Sequence, residues 1–325
     1  MHVFIDESGS FSEFQQGSIA AVGALAIPSA ALPNIEKRYS KLRKRLPKAN
    51  GEVKGRLLNE AQVASVVSLL ARNQAVFEVT VLDVGAHTAA YVTAYQEGLA
   101  KGMEDRLPRF NVQAQPDVQR TVDQIRKTST PLFLQAITTF DLLHTIIKHI
   151  PMYFAQRQPA ELGSFSWLID GKDAAKVTEW EKWWTWYAHG ALFTRSRTDP
   201  RPQLVGADYS YFDRFNDRSE PDAGIDLGLL LDDLRFSSEP EVGLELVDIV
   251  VNAVRRAMVG NLGKEGWFNI PRLMIHRRDH YITLMLLGDT RPPDSPSYTQ
   301  VVRHFVGGGK SMLSPYFQRM ADESA

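Results

Sequence analysis

Cysteine is absent from the 325 residues. Disulfides, thiolate metal sites, thiol nucleophiles and iron–sulfur clusters are thereby excluded. Any metal must be held by oxygen or nitrogen, which favours hard cations such as Mg²⁺ or Mn²⁺. A run of about 18 uncharged apolar residues is also lacking, so no membrane span is expected. Charge of one sign is not in excess: the formal net charge is -1, which argues against general polyanion binding but leaves room for a local basic patch. A signal peptide is not expected either, because the charged pair Asp6-Glu7 follows only five residues. The expectation is a cytoplasmic globular protein, long enough to bury a sizeable core.

What is present begins with an apolar β-type run that ends in two carboxylates and a Ser-Gly-Ser turn, Met1-His2-Val3-Phe4-Ile5-Asp6-Glu7-Ser8-Gly9-Ser10. Carboxylates at a strand end are poorly placed for packing and well placed to hold a cation. Residues 18–27 read as a second strand, ended by Pro28 and antiparallel by connection. A basic helical stretch covers 31–46, and Asn59 caps a helix with apolar positions at Val63, Val66, Val67 and Leu70. Residues 75–84 read as a strand, and 87–104 and 117–157 as helices. The next strand, Phe165–Asp170, is followed by Gly171, and 174–193 reads as a helix carrying four tryptophans. The apolar stretch 225–231 leads into Asp232-Asp233-Leu234-Arg235-Phe236-Ser237-Ser238. A long apolar helix follows over 241–259, with Ser237 and Ser238 as its expected cap. Residues 270–288 read as β-rich, and a proline-rich irregular tail follows. Residues 108–122 are the expected flexible loop. The pattern is an α/β layered domain with a mixed sheet and long helical insertions.

Four places put carboxylates where a strand ends or a helix faces inward. They are Asp6-Glu7, Glu52 with Lys54 two residues on, Asp170, and Asp248. Asp248 is the least expected, because the helix around it is apolar on nearly every side. Glu245, Asp248, Asn252 and Arg255 fall at i, i+3, i+7 and i+10 and form one narrow polar stripe. A charge on so apolar a helix is costly unless it is paired or bound to a metal; a salt bridge to Arg255 or Arg256 is the simplest pairing. Converging carboxylates with a lysine suit phosphodiester hydrolysis, in which two metal ions activate water and stabilise the leaving oxygen. Lys54 is placed to neutralise charge developing on the phosphate.

In this order, "FIDESGSF", "GEVKG", "SWLIDGKD" and "LRFSSEPEVGLELVDIVVNAVRR" resemble the bacterial family called domain of unknown function 3800, over roughly residues 2–256. The resemblance implies an RNase H-like mixed sheet flanked by helices. It implies a single domain over 1–290 with a helical insertion around 87–160, and 291–325 as a tail. In that fold the first strand, the fourth strand and a late helix bring acidic residues together around Mg²⁺ or Mn²⁺. Carried over, the cluster is Asp6, Glu52, Asp170 and Asp248 as metal-binding and catalytic residues, with Glu7 a further ligand and Lys54 assisting. The partner is then nucleic acid, DNA or RNA. Where the family helix often reads Gln-x-Ala-Asp, this chain has Glu245-Leu246-Val247-Asp248, which leaves the role of Glu245 open. The family is also associated with phage defence.

Plainer readings exist for each motif. Asp and Ser also shape turns, Glu52 and Lys54 could be a solvated pair, and Asp170-Gly171 an ordinary strand exit. Trp180, Trp183 and Trp184 with Tyr187 have the spacing of a core stripe, although such a helix also suits a homodimer. The basic run from Lys37 to Lys48 is a solvated face or a phosphate-backbone contact. A restriction-endonuclease-like site would use Glu52-x-Lys54 but leaves Asp170 and Asp248 without a role. An actin-like phosphotransferase would need a second glycine-rich phosphate loop, which Asp170-Gly171-Lys172-Asp173 is not. A catalytically silent interaction module of a defence or mobile-element system is the alternative from a different class. Gly309-Lys310-Ser311 is no phosphate-binding loop, since the glycine it requires falls at His304.

Overall fold

The first strand sets the plan. The computed structural model describes residues 1–173, 175–216, 225–276, 283–288, 290–291, 296–306 and 309–323. β1 (His2–Ser8) pairs antiparallel with β2 (Ile19–Ile27). After α1 (Leu32–Arg43), a two-residue ladder joins β3 (Lys48–Ala49) to β4 (Glu52–Val53), and α2 (Glu60–Arg72) follows. β5 (Val76–Asp83) pairs antiparallel with β2. The helices α3 (Ala89–Glu104), α4 (Gln115–Lys127) and α5 (Thr130–Ala155) then lead to β6 (Ser166–Asp170), which lies parallel to β1.

α6 (Glu179–Trp183) continues through a π turn, Trp184–Ala188, into α7 (His189–Thr198). The short α8 (Leu227–Leu230) precedes β7 (Leu234–Ser237), and α9 (Val242–Met258) comes next. The chain finishes with α10 (Lys264–Trp267), β8 (Ile275–His276), β9 (Thr283–Met285), α11 (Thr299–Val306), β10 (Lys310–Ser311) and α12 (Pro315–Glu323). The central sheet has six strands in the order β7-β6-β1-β2-β5-β9. Within it β2 alone runs against the rest. The α/β expectation is met by this mixed sheet, covered by helices on both faces.

Alternation along the strands sorts the core into two layers. Val3, Ile5, Trp167 and Ile169 face the side covered by α5, while Phe4 and Leu168 face α9. β2 is buried at every position because both its faces are covered, which is why it reads as an unbroken apolar run. By the same alternation Asp6 shares the face of Phe4, and Asp170 that of Leu168.

The sequence reading needs correction in several places. The helix expected over 117–157 is two helices. Gln96 donates from Nε2 to the carbonyls of Ile125 and Thr128, capturing the end of α4, and Pro131 starts α5 anew. The loop expected over 108–122 is largely ordered: Leu107–Arg109 is a 3-10 turn, and α4 begins at Gln115 with Pro116 in its first turn, where a missing N–H is tolerated. Ser237 and Ser238 do not cap α9, whose N-cap is Glu241; Ser237 instead accepts from the Glu239 N–H. The β-rich segment at 270–288 contributes only the short β8 and β9 among the described residues. The tail holds α11 and α12, and it is pinned to the sheet by the Tyr298 hydroxyl donating to Asp83 Oδ2 at 2.9 Å. Lys310 and Ser311 form a strand beside β8. No helix among the described residues is long and apolar enough to cross a membrane.

Candidate metal centre

Ile5 of β1 pairs with Ile169 of β6 in parallel register, so the next residue on each strand, Asp6 and Asp170, stand side by side. β6 ends at Asp170, whereas β1 stays paired with β2 through Ser8 before the chain leaves the sheet. Gly9 adopts φ +99° in that turn, and an added Cβ would meet the Ile19 carbonyl at 2.5 Å; only glycine fits. Among the described residues, one group of carboxylates offers oxygens that all lie within 4.8 Å of one another: Asp6, Glu7 and Asp170. Each is partly exposed, so an ion could reach them. The group does not extend to Glu52 or Asp248.

Asp248 sits above the strand ends on α9, which crosses β1 and β2. Its Oδ2 accepts the Gly55 main-chain N–H at 2.7 Å, not a bond from Arg255 or Arg256. Arg255 donates instead to Ser8 Oγ, and Arg256 to the carbonyls of Gly55 and Leu58. The Glu52-Val53-Lys54-Gly55 segment is therefore clamped to α9. Gly55 permits this, because a Cβ there would lie 2.8 Å from the Asp248 carbonyl and 2.9 Å from Ile249 Cα. Lys54 forms an ion pair with Glu52. Lys172 pairs with Glu7.

The polar stripe of α9 is used along its whole length. Glu245, left without a role by sequence, is structural: Arg43 donates to both its oxygens at 2.7 and 2.6 Å, Tyr39 to Oε2 at 3.0 Å and the Val53 N–H to Oε1 at 3.0 Å. Burial pushes its carboxyl up, but these donors hold it below the usual range. Asn252 and Arg255 both donate to Ser8 Oγ at 3.0 Å. Among the members of the stripe, Asp248 is the one whose charge acts on Asp6 and Asp170.

The electrostatics agree with a cluster. Asp6 is raised well above the ordinary carboxylate range by burial, then by the charges of Asp170 and Asp248, against which Lys172 and Lys54 act. Asp170 is pushed up to about 6 by burial; Lys54 opposes this, and Asp248 and Glu52 add to it. Asp248 is raised by burial, with the Gly55 N–H opposing. Charges that penalise one another in this way need either protons or a cation. An all-oxygen donor set of three carboxylates fits a hard divalent ion, and Asp6, Glu7 and Asp170 can hold one.

Sequence reasoning missed Lys172, although the signal was present. A lysine stands two residues after Glu52 and again two residues after Asp170; Lys172 pairs with Glu7 of the cluster, and the charge of Lys54, itself paired with Glu52, acts on Asp6 and Asp170. The basic run divides: Arg43 serves Glu245, whereas Lys37, Arg38, Lys41, Lys44, Arg45 and Lys48 are exposed. The tryptophan stripe is core packing, with Trp180 and Trp183 stacked at 5.4 Å and Trp184 edge-on to both. No protein-family model, no curated protein and no solved structure matches the chain.

Proposed function

We propose that this protein is a metal-dependent nuclease with an RNase H-like core, hydrolysing phosphodiester bonds in nucleic acid. The observation that carries the reading is the placement of Asp6 and Asp170 side by side, near the end of β1 and at the end of β6, with Asp248 of α9 near enough for its charge to raise both carboxyls. β6 is the fourth strand of the central sheet in chain order, after β1, β2 and β5. A first strand, a fourth strand and a late helix are the three elements from which the resembled family is expected to gather its carboxylates.

Asp6, Glu7 and Asp170 would hold Mg²⁺ or Mn²⁺, and the charges of Asp248 and Glu52, from α9 and β4, act on Asp170. When bound, such an ion supplies charge to activate water and to stabilise the leaving oxygen. The protein's own contribution is positional. Gly55 and Asp248 fix the Glu52–Lys54 segment against α9, so Lys54, paired with Glu52, would lend its charge to the phosphate as negative charge develops there. The exposed cations on α1 and in the segment after it offer the phosphate backbone a sequence-independent contact.

The test is incubation of the purified protein with single- and double-stranded DNA and RNA in Mg²⁺, Mn²⁺ or EDTA, beside Asp6→Asn and Asp248→Asn. Metal-dependent cleavage lost in both variants supports the reading. An absence of cleavage and of metal binding by calorimetry would leave a silent interaction module as the better account.

A further inference from the structure

Arg255 closes the polar stripe of α9, and α9 runs the same way as β1. At the start of the helix Gly243 lies on the Phe4 ring, where a Cβ would meet it at 2.1 Å. Further along, the charge of Asp248 acts on Asp6, and Asn252 and Arg255 reach Ser8. Phe4, Asp6 and Ser8 alternate onto one face of β1. The line of contacts therefore carries on past the carboxylates to a cation, about 10 Å along the helix from Asp248.

The end of β1 is shaped around this side chain. Ser8 is buried, and its Oγ accepts from Arg255 Nε at 3.0 Å. A Cβ on Gly9 would stand 2.8 Å from Arg255 Cδ, so glycine there leaves room for the arginine stem. Among the described residues, the Nε bond to Ser8 is the one that Arg255 makes. Its two terminal nitrogens have no partner and are not buried, so solvent reaches them. The other arginines close by are engaged: Arg43 on Glu245, and Arg256 on the carbonyls of Gly55 and Leu58. Burial and the charge of Arg256 pull the Arg255 guanidinium below its ordinary value; the charge of Glu13 opposes this, without an ion pair. A half-buried charge without a counter-ion is costly. A guanidinium fixed at Nε, with its terminal N–H groups free, matches the oxygens of a phosphate.

We propose that Arg255 receives a backbone phosphate of the nucleic acid, beside the scissile one, and so sets how the strand lies over the carboxylates. Ser8 aims the guanidinium by holding Nε. The proposal rests on the nuclease reading of the carboxylate site and adds to it a substrate contact that no metal mediates. A phosphate carries no base identity, so the contact gives affinity and register without sequence preference.

The experiment is steady-state cleavage of single- and double-stranded DNA and RNA oligonucleotides in Mn²⁺, at several KCl concentrations, by wild type, Arg255→Met and Arg255→Lys. Calorimetry with Mn²⁺ and urea unfolding accompany each protein. Arg255→Met should raise KM about tenfold and lower the slope of log KM against log salt by about one. Turnover at saturating substrate and Mn²⁺ affinity should stay near wild type. Arg255→Lys keeps a charge but not the fork, so KM should rise about threefold with the salt slope retained; it stands as the test if Arg255→Met unfolds. Wild-type KM and salt slope in Arg255→Met, or wild-type KM in Arg255→Lys, would overturn the contact and leave the nuclease reading in place. A loss confined to stability or turnover would also overturn it, making Arg255 a support of the Ser8 turn. A wild type that cleaves none of the oligonucleotides removes the nuclease reading, and the contact with it.

Discussion

The Gly55 main-chain N–H points at the Asp248 carboxylate, 2.7 Å from Oδ2. One short contact thus joins the loop that carries Glu52 and Lys54 to the helix that crosses the strand ends. It explains why a glycine must follow Glu-x-Lys, since a larger residue would strike the backbone of α9.

Gly55→Ala is therefore expected to cost about 2 kcal/mol by overpacking and to weaken Mn²⁺ binding by pushing the loop outward. Urea unfolding and calorimetry on the same variant measure the two effects. Wild-type values for both would show that the contact is dispensable.

Asp170 carries a carboxyl raised from 3.8 to about 6. The folded state binds its proton more tightly than the unfolded chain does, so its contribution to stability is complete below pH about 4 and disappears as pH rises through about 6. In EDTA, Asp170→Asn should melt higher than wild type at pH 7.5, by up to about 3 kcal/mol of stability, and the advantage should vanish at pH 4. Thermal melts at the two pH values decide the matter.

The same shift makes protons compete with a metal ion. Mn²⁺ affinity should fall about tenfold for each pH unit below about 6. Calorimetry at pH 5 and pH 7 would show it; equal affinities at both would mean that these carboxylates are not the ligands.

Glu245 and Asp248 lie one helical turn apart and should fail differently. Glu245→Gln breaks the buried pair with Arg43 and is expected to cost about 3 kcal/mol while leaving a folded protein's Mn²⁺ affinity near wild type. Asp248→Asn relieves a raised carboxyl and should cost little stability but lose cleavage. Paired unfolding and cleavage measurements separate the structural carboxylate from the functional one.

Lys54→Met should reduce turnover about 100-fold, the scale of removing one preorganised charge at a reacting phosphate, with Mn²⁺ affinity retained. Single-turnover cleavage at saturating metal reads the first quantity. A change confined to metal affinity would show that Lys54 acts only as the partner of Glu52.

Much of this arrangement could be read directly from the chain. β2 is an unbroken apolar run, β1, β5 and β6 are mostly apolar β-type segments, and the stripe on α9 follows from helical spacing alone. What escaped depends on partners distant in sequence. The break between α4 and α5 is held by Gln96, about 30 residues earlier. Glu245 was ambiguous until Tyr39, Arg43 and the Val53 N–H surrounded it, about 200 residues away in sequence. Lys172 was passed over because a lysine after a strand exit is unremarkable until Glu7 stands opposite.

The crossing of α9 over β1 and β2 also has a bearing on synthesis. Asp248 leaves the ribosome more than 240 residues after Asp6, so a growing chain lacks the full acidic set until α9 has followed. The proposed cleavage would then be withheld from a nascent chain for as long as α9 is missing.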